Sequence, residues 1–321
     1  MAHCGDKMKD AAQAGSLLHR LTFSVIVCVS LMVSLLPRRG MVKLGRWLGA
    51  LVYLLWQERR AIALGNLDLA FGETKTAEEK ARIARESFET IGASLMELSW
   101  GMRRMNDAVF AEVAEVEGVD LLRSVLAKGK GTLMLPAHYG NWELLTNVSG
   151  HVGFTAYFVA KRLKNPYLDR MVNDYRCRRS NHVIHMNGAS KEMEDALRAG
   201  HVVATVLDQK VPVRRGGILV DFFGRPAATT PLIAKLHLDT GAPLIHVRCY
   251  PNRDGTCRIV FGPEVDFEPS GDYERDVHDL TLQCVGFMES YIRERPEFWL
   301  WGHKRWKVDS GMVGGQSAKT D

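Results

Sequence analysis

The chain has 321 residues, 46% of them apolar and 25% charged, with a formal net charge of +5. That length and apolar content can bury a large core, one big domain plus an appendage, and so modest a charge gives no ground for a nucleic-acid protein. The six cysteines (Cys4, Cys28, Cys177, Cys249, Cys257 and Cys284) include no C-x2-C pair, which indicates free thiols in a reducing compartment and no zinc site.

Residues 21–36 (LTFSVIVCVSLMVSLL) carry no charge, against the roughly 20 residues a full membrane span needs. Lys7, Lys9 and Arg20 precede the run, but Pro37-Arg38-Arg39 follows it instead of a small-residue cleavage site, so an uncleaved anchor is expected. Basic residues are denser after it (Arg38, Arg39, Lys43, Arg46), which keeps the bulk of the chain cytoplasmic if the run spans. Residues 41–57, with Trp47, Leu48, Leu51, Tyr53, Leu54, Leu55 and Trp56 against Lys43 and Arg46, fit a helix lying at the membrane interface or an ordinary core helix. Two further helices are expected at 59–71 and 76–105, the second opened by a capping box, Thr76-Ala77-Glu78-Glu79.

From Val109 the pattern alternates. Strand-like runs fall at 132–135, 155–159, 182–185, 202–207, 218–222, 243–250 and 257–261, and helices fit 142–148, 166–178, 190–199, 230–240 and 273–294. Pro231 after Thr230 suits the first helical position after an N-cap. The expected fold class is α/β, a mostly parallel central sheet flanked by helices, with an N-terminal helical membrane-anchoring region. The expected division is a tail and anchor at 1–37, an α/β domain with N-terminal helices at 38–309, and a Gly/Ser-rich disordered tail at 310–321.

The informative stretch is 129–150, GKGTLMLPAHYGNWELLTNVSG. Thr132-Leu-Met-Leu135 is a short apolar run bounded by Gly131 and Pro136, the mark of a buried strand. His138-Tyr-Gly-Asn141 is turn-like, and a helix can begin at Trp142 with Asn141 as its N-cap. On one regular helix, His138 and Glu143 would lie about 140° apart and could not meet. With the turn at Gly140 and Asn141 between them, a Glu143 carboxylate can bond one imidazole nitrogen, fix the tautomer and leave the other nitrogen as a general base. Basic clusters recur at Arg38-Arg39, Arg59-Arg60, Arg103-Arg104, Arg176 with Arg178-Arg179, Arg214-Arg215, and Lys304-Arg305 with Lys307. Each is a solvated face or a contact for anionic headgroups.

Six blocks in order carry a family resemblance. They are the apolar N-terminus followed by Arg59-Arg60-x5-Asn66-Leu67-x3-Phe71; His138-Tyr-Gly-Asn-Trp-Glu143; Arg176-x-Arg178-x2-Asn181-x-Val183-Ile184; Leu207-Asp208-Gln209; Phe222-Phe223-Gly224-Arg225-Pro226-Ala-Ala-Thr-Thr-Pro231; and Pro296-Glu-Phe-Trp-Leu-Trp-Gly-His303-Lys-Arg-Trp306. With these blocks the chain resembles the bacterial lipid A biosynthesis (lauroyl/myristoyl) acyltransferases of the glycerolipid acyltransferase superfamily. It departs from their pattern at Lys210, where an acidic residue often follows Asp-Gln, and at Ser180, where the basic block normally has glycine.

The resemblance implies acyl transfer from a thioester, on acyl carrier protein or coenzyme A, to a hydroxyl of a lipid acceptor such as a lipid A precursor. It implies no cofactor, and work on the cytoplasmic side of a bacterial inner membrane. His138 held by Glu143 would take the hydroxyl proton, and backbone N–H groups of Gly140 and Asn141 would meet the oxyanion. Arg176 and Arg178 would hold phosphate, and Asp208, at a strand end, would orient a basic residue or the acceptor. Phe222-Phe223 and Trp299, Trp301 and Trp306 would line an acyl channel or form plain core. No G-x-S-x-G elbow occurs, so a serine acyl-enzyme is not indicated. Competing readings are a metal-dependent hydrolase, disfavoured because H-x4-E lacks the i,i+4 spacing of a helical metal pair, a non-catalytic lipid-binding protein, and an acyltransferase acting on a lysophospholipid, ornithine lipid or glycolipid.

Overall fold

The structure, a computed structural model, describes residues 16–186 and 188–306. The tail at 310–321 and Cys4, Lys7, Lys9 and Lys307 lie outside the described residues. Helix α1 (Leu17–Ser34) begins at Ser16, whose hydroxyl accepts from the His19 N–H. Among the described residues it is the one helix long and apolar enough to cross a membrane. It buries Ser30, Val33 and Ser34, while Leu17, Leu21, Val25 and Met32 stand exposed.

Helices α2 (Arg38–Leu55), α3 (Gln57–Phe71) and α4 (Ala77–Arg104) follow. The expected capping box opens α4, with Thr76 and Glu79 bonding each other's backbone N–H. Helices α2 and α4 touch backbone to backbone: a Cβ on Gly49 would sit 2.1 Å from the Phe88 carbonyl oxygen, and one on Gly92 2.2 Å from that of Gly45. So close a crossing admits no side chain at the contact. Of the two readings of 41–57, the structure shows packing against core on one face of α2. The other face leaves Trp47, Leu54, Leu55 and Trp56 exposed.

The α/β part runs α5 (Asp107–Val113), β1 (Ala114–Glu117), α6 (Val119–Leu126), β2 (Thr132–Leu135), α7 (Val148–Val152), β3 (Ala156–Ala160), α8 (Pro166–Arg176), β4 (His182–His185), α9 (Ala189–Arg198), β5 (Val202–Ala204), β6 (Ile218–Asp221), β7 (Pro226–Thr229), α10 (Leu232–Thr240), β8 (Leu244–Pro251), β9 (Cys257–Glu264) and α11 (Tyr273–Glu294). Seven strands make one sheet in the order β1-β9-β8-β2-β5-β3-β4, parallel except for the β8/β9 pair. All of β2 is buried, as expected of a central strand covered on both faces.

Three expectations are corrected. The run at 218–222 does not join the sheet; β6 pairs with β7 in a separate antiparallel hairpin. The sheet gains an edge strand, β1, whose alternating acids gave no apolar run to read. Helix α10 begins at Leu232 instead of Pro231, with the Thr230 hydroxyl accepting from the Leu232 N–H at 3.3 Å.

Because β2, β5, β3 and β4 are parallel, the loops after them leave from one edge. The loops after neighbouring β2 and β5 bring His138 and Asp208 together there, where open α/β sheets bind their ligands.

Candidate active site

The segment after β2 is held rigid on every side. Tyr139 is buried among Tyr250, Tyr291 and Phe298, and its hydroxyl donates to the Tyr291 carbonyl at 3.1 Å. The Gly140 N–H donates to Phe298 O at 2.9 Å, the Leu300 N–H donates to His138 O at 3.2 Å, and the Ser94 hydroxyl donates to Gly140 O at 3.1 Å. Gly140 has φ +59°, and a Cβ there would lie 1.9 Å from the Cys249 carbonyl oxygen, so only glycine fits the turn. Asn141 then caps the next turn as expected, its side-chain oxygen accepting from the Leu144 N–H, while its amide donates to Glu97. The turn opens as a tight 3₁₀ stretch, Trp142–Asn147, before α7.

This frame presents His138 half-open at the sheet edge. Its Nδ1 lies 2.8 Å from Asp208 Oδ1, with the His138 side chain 18% exposed and that of Asp208 2%. The other Asp208 oxygen accepts from the His138 backbone N–H at 2.9 Å and from the Trp299 indole N–H at 3.0 Å. Burial alone would raise the Asp208 pKa, but the His138 charge and these three hydrogen bonds hold it down, to about 2. Burial likewise pushes the His138 imidazole down; the Asp208 charge and hydrogen bond outweigh it and leave the ring above its ordinary value, with Glu143 adding to the rise and Arg176 opposing it. Trp142 packs edge-on against the ring at 5.2 Å between centroids. The second nitrogen, Nε2, faces the exposed Gln209 amide at 3.3 Å. With Nδ1–H donating to Asp208, Nε2 is an acceptor on the open side, as a general base requires.

The carboxylate that meets the imidazole is therefore Asp208 and not Glu143. Glu143 is gripped by both arms of Arg176, through Nε to Oε2 at 3.0 Å and through Nη2 to Oε1. A forked guanidinium engages both carboxylate oxygens at once, so Glu143 is committed to Arg176 and acts on the His138 ring only through its charge. Arg176 is thereby paired with Glu143. Arg178 is also committed: its Nη2 donates to the Met102 carbonyl at 2.6 Å, in the last turn of α4, and its guanidinium stacks over Tyr175. It closes a helix C-terminus, where a cation is favourable. The Gly140 N–H, bonded to Phe298 O, is unavailable to an oxyanion.

Ser180, where glycine was the family expectation, has φ +62°, so the structure shows the left-handed conformation that glycine adopts without strain. The aromatic blocks are core and not an open channel. Phe222, Trp299 and Trp301 are fully buried, and Phe222 stacks on Trp306 at 5.3 Å. Sequence reasoning missed the donor role of Trp299 and the position of Gln209; Leu207-Asp208-Gln209, in the loop after β5, was the signal for the second.

The sequence profile of a family described as bacterial lipid A biosynthesis acyltransferases matches residues 9–308. The chain is 26% identical to the lipid A biosynthesis palmitoleoyltransferase of Escherichia coli (strain K12), over 85% of this chain and 87% of the relative. It is 28% identical to the lipid A biosynthesis lauroyltransferase of the same strain, over 85% and 87%. To the phosphatidylinositol mannoside acyltransferase of Mycobacterium tuberculosis (strain ATCC 25618 / H37Rv) it is 33% identical over 60% of each chain.

Proposed function

Because the chain belongs to the bacterial lipid A biosynthesis acyltransferase family, we propose that it moves a fatty acyl group from a thioester, on acyl carrier protein or coenzyme A, to a hydroxyl of a lipid A precursor at the inner membrane, with residues 38–309 as the catalytic unit. The observation that carries the reading is the 2.8 Å contact between His138 Nδ1 and Asp208, with Nε2 turned to the open sheet edge. Nε2 takes the proton of the acceptor hydroxyl, and the oxygen attacks the thioester carbonyl. The tetrahedral oxyanion collapses, the C–S bond breaks, and the imidazolium returns the proton to the departing thiolate. The products are an ester and a thiol. Asp208 holds the tautomer and steadies the imidazolium. The Gln209 amide, which donates to Nε2 here, gives way to the acceptor hydroxyl and then becomes a donor for the oxyanion. Glu143 and Arg176 act as a neutralised pair that fixes the wall beside the ring.

The test is acyl transfer by the detergent-solubilised protein, with acyl carrier protein and coenzyme A donors compared and the lipid product weighed by mass spectrometry. His138→Ala is expected to keep the fold and to lose activity on the order of 10³-fold or more. Near-normal turnover in that variant refutes the base. A second acceptor class, a mannosylated glycolipid, is favoured by the 33% identity to the mannoside acyltransferase, and the same mass measurement separates the two.

A further inference from the structure

The loop leaving β3, residues 161–164, plays no part in the proposed chemistry. It emerges at the sheet edge that carries His138, two strands away from β2 and so about 10 Å along the edge. Lys161, Arg162, Leu163 and Lys164 are all exposed, Leu163 to 47%. Four other cations at the site edge or near α1 are held in ion pairs: Arg176 by Glu143, Arg179 by Asp107, Arg38 by Glu97, Arg46 by Glu89. Lys161, Arg162 and Lys164 make no ion pair with any described residue. The acid at the foot of the loop, Asp169, is already occupied. Its Oδ1 accepts from the Leu163 N–H at 2.7 Å, and its Oδ2 from the Asn173 amide at 3.2 Å.

The loop is also tethered to α1. The Asn165 amide donates to the His19 carbonyl at 2.9 Å, Arg20 Nε donates to the Tyr167 hydroxyl at 3.1 Å, and Phe23 packs on the Tyr167 ring at 5.6 Å. Beside these contacts, Leu17, Leu18 and Leu21 of α1 stand exposed. Three unpaired cations around one exposed leucine, fixed next to an apolar helix face, match a surface with anionic heads over hydrocarbon.

We propose that loop 161–164 docks on the anionic phospholipid headgroups of the bilayer that α1 enters, with Lys161, Arg162 and Lys164 neutralising lipid phosphates and Leu163 dipping into the interface. The inference rests on the membrane setting of the proposed function but not on its chemistry. Docked there, the loop turns the His138 edge of the sheet toward the membrane surface, from which a lipid hydroxyl reaches Nε2.

The test uses the full chain and two vesicle types, pure phosphatidylcholine and phosphatidylcholine with one-third phosphatidylglycerol. The quantity read is the ratio of partitioning onto anionic over neutral vesicles, which cancels whatever α1 contributes to both. The triple variant Lys161→Gln, Arg162→Gln, Lys164→Gln is expected to lower that ratio by about fivefold per charge, on the order of a hundredfold in all. In the unchanged chain, amide hydrogen exchange across 161–164 is expected to slow tenfold or more on anionic vesicles and not on neutral ones. An unchanged ratio in the triple variant, or equal exchange on both surfaces, overturns the proposal. So does a variant that binds vesicles normally yet loses turnover in neutral detergent, which would mean the loop grips the acceptor's own headgroup. His138→Ala protein, assayed the same way, must behave as the unchanged chain, which separates this result from any failure of the acyl-transfer reading.

Discussion

Asp208 reports itself through pH. In the proposed mechanism the neutral form of His138 is the base, so kcat/KM is expected to rise with pH through a pKa lifted above the ordinary 6.5. Asp208→Asn keeps the size of the side chain and removes the charge. We expect the acid limb to move to lower pH and the plateau to fall by roughly 10³–10⁴. A limb that stays in place with little loss would show that another group sets the imidazole. The same pair bears on stability. Asp208, at about 2 against 3.8, favours the fold above pH 3.8 and loses that contribution as pH falls toward 2. Seen from the imidazole, the contribution is present below 6.5 and fades as pH climbs through the raised value. At this scale the sequence made His138 and its turn legible, because a strand end, a glycine and an Asn cap are local signals. The partner was not legible, since His138 and Asp208 stand 70 residues apart and meet only because β2 and β5 are neighbours. Glu143 was close in sequence, but its claimant, Arg176, comes 33 residues later.

At the scale of elements, apolar runs and caps announced β2, β4, α4 and α11 almost to the residue, whereas hairpin strand β7 (Pro-Ala-Ala-Thr) has neither bulk nor alternation to betray it. The close crossing of α2 on α4 was likewise invisible, because glycine in a helix reads as weakness until its partner is known. Gly92→Leu tests it. The new side chain meets the Gly45 carbonyl and the Gly49 Cα, both backbone, so the helices must part. A loss of about 3 kcal/mol is expected in a denaturant titration, toward the upper end for overpacking. A stability unchanged within 0.5 kcal/mol, about the size of an ordinary surface substitution, would mean that the crossing is looser than it stands here.

For the whole molecule, two apolar stripes point outward, one along α1 and one along α2 at Trp47, Leu54, Leu55 and Trp56. Leu21→Asp, Val25→Asp and Met32→Asp together spare the buried residues of α1 and place charges on its exposed face, at a cost near 3 kcal/mol each within hydrocarbon. The triple variant is expected to move from the membrane pellet into the soluble fraction while keeping its fold. Retention in the pellet would assign the anchoring to α2 or to loop 161–164.

Trp299, which steadies Asp208, and Phe298 and Leu300, which clasp the His138 turn, sit within the last stretch of the described chain. A ribosome therefore releases the greasy leading helix long before it releases the clasp. In the proposed membrane setting, the nascent polypeptide reaches its lipid address with the histidine still unsupported. If the proposed mechanism holds, competence arrives only once residues 298–300 are made, so delivery precedes switching-on, and a chain lacking them is expected to be a passenger without a working base.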